Sequence, residues 1–127
     1  MRDQDGIRAE RAGGVLVVEV RGELDITTVL RWTAVLEAAI CELTAPHLLV
    51  LDLAMLEFLS ASGAHGLLRA VERCPERGIA GCLIATPGSV VDRVVRLAGL
   101  AGLVPIFPNR LEAIAACQPE EVRWLPA

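Results

Sequence analysis

The feature that most constrains the fold is a nearly continuous apolar run, HLLVLDL, from His47 to Leu53. The run is much shorter than the ~20 apolar residues of a membrane-spanning helix. It also lacks the alternation of a strand with one face in water, so it predicts a central strand that is covered on both faces. Strands of this kind are typical of α/β domains, in which helices pack against a sheet.

A cluster of small and hydroxyl-bearing residues follows this strand after a short connector. The sequence Ser60-Ala61-Ser62-Gly63 opens a segment whose apolar residues recur at helical spacing, namely Ala64, Leu67, Leu68 and Val71. We expect a helix over about residues 62–76, with two hydroxyl groups near its N-terminus. Unpaired N–H groups and the helix macrodipole favour negative charge there, so the pattern indicates a place to carry or to sense a phosphate.

The remaining patterns predict four further strands and three further helices. Strands are expected at residues 7–10, 15–21, 80–85 and 103–107, and helices at residues 28–42, after Ser89 and after Asn109. The order β β α β α β α β α, with an opening hairpin, predicts an α/β fold with a mixed sheet of four or five strands and about four helices. The buried faces of these three helices are expected at Val29, Thr33, Leu36, Ile40 and Leu43, at Val90, Val91, Val94 and Leu97, and at Leu111, Ile114 and Ala115.

A length of 127 residues corresponds to one domain. We expect a flexible N-terminus over residues 1–6, a folded domain over residues 7–117 and a C-terminal tail over residues 118–127 that packs loosely or is mobile. The N-terminal sequence has no apolar core, and no stretch reaches the length of a membrane span. We therefore expect a cytoplasmic protein without membrane insertion.

Composition and residue spacing argue against several classes of function. The net charge is −4, and only two Phe, two Trp and no Tyr are present, so direct nucleic-acid binding is not expected. His47 and His65 each lack a second ligand or a nucleophile at a suggestive spacing. We expect the protein to have no catalytic residues, no metal and no cofactor. We therefore do not expect it to be an enzyme. The cysteines form no C-x-x-C pair and are expected to be buried free thiols; they are Cys41, Cys74, Cys82 and Cys117.

Three motifs together resemble a known family. They are GELD at residues 22–25; LDL at 51–53, six residues before LSASG at 59–63; and VVRLAGL at 94–100, leading to VPIF at 104–107. Their order and spacing resemble the STAS domain of bacterial anti-sigma-factor antagonists over about residues 15–116. The resemblance implies a regulatory protein that binds an anti-sigma factor, itself a serine kinase of the ATPase superfamily, and thereby makes a sigma factor available for transcription.

The resemblance also implies a switch that this chain alters. In the family, phosphorylation of a serine at the start of the second helix breaks the complex, and a serine phosphatase restores it. Here Ser60 aligns with an acid of the family motif, Ala61 with the phosphoacceptor and Ser62 with the following position. Ala61 has no hydroxyl group. Either Ser62 or Ser60 has taken over as phosphoacceptor, or the ordinary switch is lost. In the latter case the chain binds its partner constitutively or answers to a different signal.

A partner-binding surface is expected around this helix start. Its candidate residues are Glu23, Asp25, Thr27, Phe58, Ser60, Ala61, Ser62, Gly63, His65, Gly66 and Arg69. Structural roles compete with partner contact for several of them. Ser60 and either Asp25 or Thr27 are suited to capping helices, while Gly63 and Gly66 allow close approach of a partner or of a neighbouring element. Asp52 is expected to order the turn after its strand rather than to perform acid chemistry.

A second class of function is consistent with the altered motif. In that class the chain is a STAS module of a transporter-associated, lipid-transport or stressosome-like complex. Co-purification separates the two classes, since a kinase partner favours the first and a membrane complex or a large homo-oligomer favours the second. Both classes of function are compatible with a homodimer.

Overall fold

The computed structural model describes residues 3–4, 6–40 and 47–117, which form eight β-strands and four α-helices. The strands are β1 (Asp3–Gln4), β2 (Ile7–Ala12), β3 (Val15–Val20), β4 (Gly22–Leu24), β5 (Leu48–Asp52), β6 (Leu56–Leu59), β7 (Ala80–Ile84) and β8 (Ile106–Phe107). The helices are α1 (Val29–Ile40), α2 (Ala61–Arg73), α3 (Val90–Leu97) and α4 (Arg110–Ala116). The predicted tail over residues 118–127 and Cys41 lie outside the described residues.

Six strands form one mixed sheet in the order β1-β2-β3-β5-β7-β8. The first three strands pair antiparallel, and β3, β5, β7 and β8 pair parallel. The α/β fold, the mixed sheet, the opening hairpin and the four helices are thus confirmed. Five of the strands correspond to the predicted sheet; the sixth, β1, is a two-residue strand from the segment for which the sequence predicts flexibility. The hairpin turn is only Gly13–Gly14, so β2 extends through Ala12.

The central strand β5 is buried along its whole length, as its continuous apolar sequence predicts. Leu49 and Leu51 belong to the main core, which also contains buried residues of α1, α2 and α3. Leu48 and Val50 belong to a second cluster with Ala113 of α4. The sheet is therefore covered by three helices on one face and by α4 on the other.

A separate parallel pair joins β4 to β6, two segments for which the sequence predicts no strand. Glu23 lies opposite Phe58, and Leu24 lies opposite Leu59. Strands of three and four residues are too short to show an alternating pattern, so the sequence analysis misses both of them. The pair is important for the site because β6 leads directly into α2.

The predicted buried faces of α3 and α4 need correction. Val90 and Leu97 of α3 are 61% and 83% exposed, while Val91, Asp92 and Val95 are buried. In α4 the buried residue is Ala113, Ile114 is half-buried, and Leu111 and Ala115 are exposed. These helices have only eight and seven residues, so several apolar stripes fit the sequence equally well and packing on the sheet selects among them.

In α1 the sequence pattern identifies Leu36 but misses Trp32, and both are buried. Val29 and Thr33 are half-buried rather than central to the core. Leu43 lies outside the described residues, as does the side chain of Ile40. Among residues 29–34, the first half of this helix, Trp32 is the residue that is fully buried.

An ion pair attaches α4 to the sheet. Arg110 Nε donates to Asp52 Oδ2 at 2.7 Å, and the same guanidinium lies 3.7 Å from Glu19 and 3.6 Å from Glu10. The hydrogen bond to Asp52, more than any other interaction, raises the pKa of Arg110. Asp52 Oδ1 also accepts the Ala54 N–H at 3.0 Å, which confirms that Asp52 orders the turn after β5.

The cysteines that the structure describes are free thiols, as expected. Cys74 and Cys82 are buried and Cys117 is half-buried. Burial raises the pKa of Cys74 to about 11, so this thiol stays protonated at neutral pH.

Replacing Trp32 with Phe tests how the buried indole is accommodated. Its Nε1 atom is buried and has no hydrogen-bond partner among the described residues. An unsatisfied buried donor costs roughly 1–3 kcal/mol, and removing it offsets the packing lost with the smaller ring. We expect Trp32→Phe to change the free energy of unfolding in urea by less than about 1 kcal/mol, while Leu36→Ala on the same helix costs about 2–5 kcal/mol. A loss for Trp32→Phe as large as that for Leu36→Ala would contradict this expectation.

Candidate functional site

The backbone carbonyl of Leu24, at the end of β4, fixes the position of the α2 N-terminus. The Ser60 N–H donates to this oxygen at 3.0 Å, and the Ser60 hydroxyl donates to it at 3.4 Å. A Cβ added at Gly63 would overlap the same oxygen, so the first turn of α2 approaches β4 more closely than a side chain permits. The segment from β4 to the start of α1 therefore lies beside the start of α2.

The two serines of the motif have different environments. Ser60 is half-buried and is the N-cap of α2, because its Oγ accepts the Gly63 N–H at 3.0 Å. Ser62 lies in the first turn of α2, is exposed and makes no hydrogen bond to any described residue. Ala61, between them, is also exposed. The capping role predicted for Ser60 is confirmed, and the hydroxyl of the motif that is exposed, with no partner in the described ranges, is that of Ser62.

The acids of the neighbouring loop also differ in what they contact. Asp25 Oδ1 accepts the Thr27 N–H at 2.9 Å, the Thr27 hydroxyl at 2.6 Å and the Thr28 N–H at 3.2 Å. These bonds, chiefly that from the Thr27 hydroxyl, hold the pKa of Asp25 below its ordinary value. Asp25 is thus engaged in ordering the start of α1, as a capping residue is expected to be. Glu23 is exposed opposite Phe58, which is 46% exposed, so an acid and an aromatic ring lie side by side at the surface.

A groove between α1 and α2 continues this surface. It has a volume of about 450 Å³ and is lined by Val29, Leu30, Thr33, Ala61, Ser62, His65, Gly66 and Arg69. A Cβ at Gly66 would overlap Val29 Cγ2, so this glycine lets the two helices approach at the groove. Arg73 and Glu37 form an ion pair of 2.9 Å between the same two helices.

The structure brings the predicted site residues to one region, but not all of them are exposed at the surface. Gly63 is buried and, because it has no side chain, lets α2 approach β4 closely. His65 and Arg69 are exposed on α2. Sequence analysis misses Ile26, in the turn before α1, and Leu30, in the first turn of α1, which are 71% and 79% exposed. Two apolar residues outside the buried stripe of α1 were the available signal. Whether each candidate contacts a partner stays a prediction.

Other kinds of site find no support in the part of the chain that the structure describes. Over residues 3–4, 6–40 and 47–117 no group of three or more His, Cys, Asp or Glu side chains could hold a metal ion. Within the same ranges, no helix has both the length and the hydropathy needed to cross a membrane.

The family model of the STAS domain matches residues 6–113 of the chain. The chain belongs to the STAS-domain family. The resemblance inferred from the GELD, LSASG and VVRLAGL motifs is thereby confirmed. In this STAS domain the LSASG motif spans the junction between β6 and α2.

Proteins similar to this STAS domain are named as antagonists of anti-sigma factors. The anti-sigma-F factor antagonist RsfA of Mycobacterium tuberculosis is 28% identical over 101 residues, which cover 80% of this chain and 78% of RsfA. The anti-sigma F factor antagonist of Paenibacillus polymyxa is 31% identical over 110 residues, which cover 85% of this chain and 91% of that protein. The crystal structure of an anti-sigma factor antagonist from Mycobacterium paratuberculosis has a TM-score of 0.79 and 27% identity, covering 89% of this chain and 93% of that one.

Serine-to-alanine variants separate the structural serine from the free one. Ser60→Ala removes the N-cap of α2, and we expect it to lower the free energy of unfolding by about 1 kcal/mol. Ser62→Ala removes an exposed hydroxyl without a described partner, so we expect a change within about 0.5 kcal/mol. Urea denaturation of both variants provides the comparison. A loss at Ser62 as large as that at Ser60 would show that both hydroxyls support the fold.

Proposed function

We propose that this STAS domain binds an anti-sigma factor that is also a serine kinase, and that phosphorylation of Ser62 releases it. The observation that carries the proposal is the exposed hydroxyl of Ser62 at the start of α2, which has no hydrogen-bond partner among the described residues. The named relatives support an antagonist role, since they act against anti-sigma factors by name. The protein would act in the cytoplasm, and a serine phosphatase would restore its binding state.

The proposed interface contains the groups that the structure leaves available beside Ser62. Glu23 and Phe58 offer an exposed acid and an exposed ring on the β4–β6 pair, and His65 and Arg69 extend the surface along α2. Thr27 is exposed as well, but its hydroxyl is bonded to Asp25. Glu23 is therefore a better candidate than Asp25 for pairing with a basic side chain of the partner.

The position of Ser62 explains how a phosphate would act mainly on binding rather than on folding. A phosphate adds roughly −1.5 to −2 charge at neutral pH. The N-terminus of α2 stabilises negative charge, so the domain itself tolerates the group. A partner in close contact would instead meet a bulky anion that it must desolvate. The free energy cost then falls on the complex.

Ser62 is favoured over Ser60 because a kinase needs a reachable hydroxyl group. The Ser60 hydroxyl is engaged with Leu24 and with the Gly63 N–H, so phosphorylating it would require breaking the cap of α2. Ser62 lies one residue after Ala61, which aligns with the usual phosphoacceptor of the family. One residue corresponds to a rotation of about 100° around a helix. The proposed partner would therefore present its phosphate donor to a face of α2 that is rotated by about 100°.

Adding a negative charge at position 62 tests this proposal. We expect Ser62→Asp to weaken binding to a purified cognate anti-sigma-factor kinase by at least about tenfold, because a charge at the contact must be desolvated, while Ser62→Ala binds like the wild type. Isothermal titration of the purified proteins measures both. The matched control is Ala115→Asp, an exposed small residue on α4, behind the sheet. Equal affinities for the wild type and Ser62→Asp would remove Ser62 from the switch.

A further inference from the structure

The groove between α1 and α2 has one apolar side. Leu30 is 79% exposed at its edge, and Val29 lies beside it on α1. The hydroxyl of Thr33, also in the groove, already donates to the Val29 carbonyl at 2.7 Å. This side therefore offers a place for a large apolar side chain, which would cover surface that Leu30 now leaves in water.

The other side of the groove is basic. Arg69 is exposed and makes no ion pair or hydrogen bond with any described residue, and His65 lies one turn before it on α2. None of the eight described residues that line the groove is acidic. The whole chain, by contrast, has a net charge of −4. The groove thus combines an apolar edge with a cation that has no counter-ion in the described part of the chain, on a protein that is acidic overall.

We propose that this groove receives a segment of the anti-sigma-factor kinase in which a large apolar side chain lies next to a carboxylate. The inference rests on the proposed function, because the occupant is part of the same partner. The apolar side chain packs against Leu30 and Val29, and the carboxylate pairs with Arg69. Charge complementarity selects this occupant, since a basic segment would meet Arg69 without a compensating acid in the groove.

The same placement connects the groove to the switch. Ser62 lines the groove together with Arg69. A phosphate on Ser62 would add negative charge where the carboxylate of the partner must enter. Repulsion between the two anions in the same groove would weaken binding of the segment.

Two substitutions with matched controls test the proposal by titration against the purified kinase that binds the wild-type chain. Leu30→Ser and Arg69→Glu are each expected to weaken binding at least about tenfold, because each removes one side of the groove. Leu111→Ser is the control for Leu30, since Leu111 is 81% exposed on α4, behind the sheet. Arg77→Glu is the control for Arg69, since Arg77 is exposed beyond the C-terminal end of α2. Both controls are expected to bind like the wild type.

A cross-linking and charge-exchange experiment tests the chemistry of the occupant. A photo-reactive residue at position 30 is expected to cross-link to a kinase segment with an acid beside a large apolar residue. Replacing that acid with Arg in the kinase should restore binding to Arg69→Glu. A cross-linked segment without an acid, or no restoration, would overturn the proposal.

The outcomes also distinguish this inference from the proposed function. If Ser62→Asp weakens the complex but Leu30→Ser and Arg69→Glu bind as tightly as the wild type, only the groove assignment is overturned. If no anti-sigma-factor kinase binds the wild-type chain, the proposed function fails, and the groove assignment fails with it.

Discussion

The close contact between the Leu24 carbonyl and the first turn of α2 is the constraint on which the site depends. That oxygen accepts the Ser60 N–H and lies where a side chain at Gly63 would be. The contact requires β4 to pair with β6, because β6 delivers the chain to Ser60. One backbone atom thereby places the loop before α1 and the start of α2 side by side.

This contact also divides the motif into a structural half and an available half. The hydroxyl of Ser60 accepts a backbone N–H at the N-terminus of α2. Gly63 has no side chain and so allows α2 to approach β4 closely. Ser62 points away from these interactions and lines the groove with Arg69. The motif therefore keeps the start of α2 in place through Ser60 and Gly63, while its accessible hydroxyl is that of Ser62.

Much of this arrangement could be predicted from the sequence where the signal is local and long enough. The continuous apolar run of β5 predicted burial on both faces, and Ser60, Ser89 and Asn109 each cap the helix expected after them. The turn at Asp52 was also predictable, because an Asx turn depends on neighbouring residues.

The remaining features depend on contacts that sequence spacing does not reveal. The β4–β6 pair joins segments of three and four residues, and Arg110 reaches Asp52 across 58 residues of sequence. The orientation of α3, with Leu97 in water, follows from packing on β6 rather than from its own pattern. The groove escaped prediction for the same reason, since it exists only when α1 and α2 meet at Gly66.

The most direct test of the central claim is to locate the phosphate after incubating the full chain with a cognate anti-sigma-factor kinase and ATP. Mass spectrometry of the digested product assigns the modified residue, and Ser60→Ala and Ser62→Ala serve as matched substrates. The account predicts phosphate on Ser62 in the wild type and in Ser60→Ala, and none in Ser62→Ala. Phosphate on Ser60, or an unmodified wild-type chain in a complex with the active kinase, would contradict it.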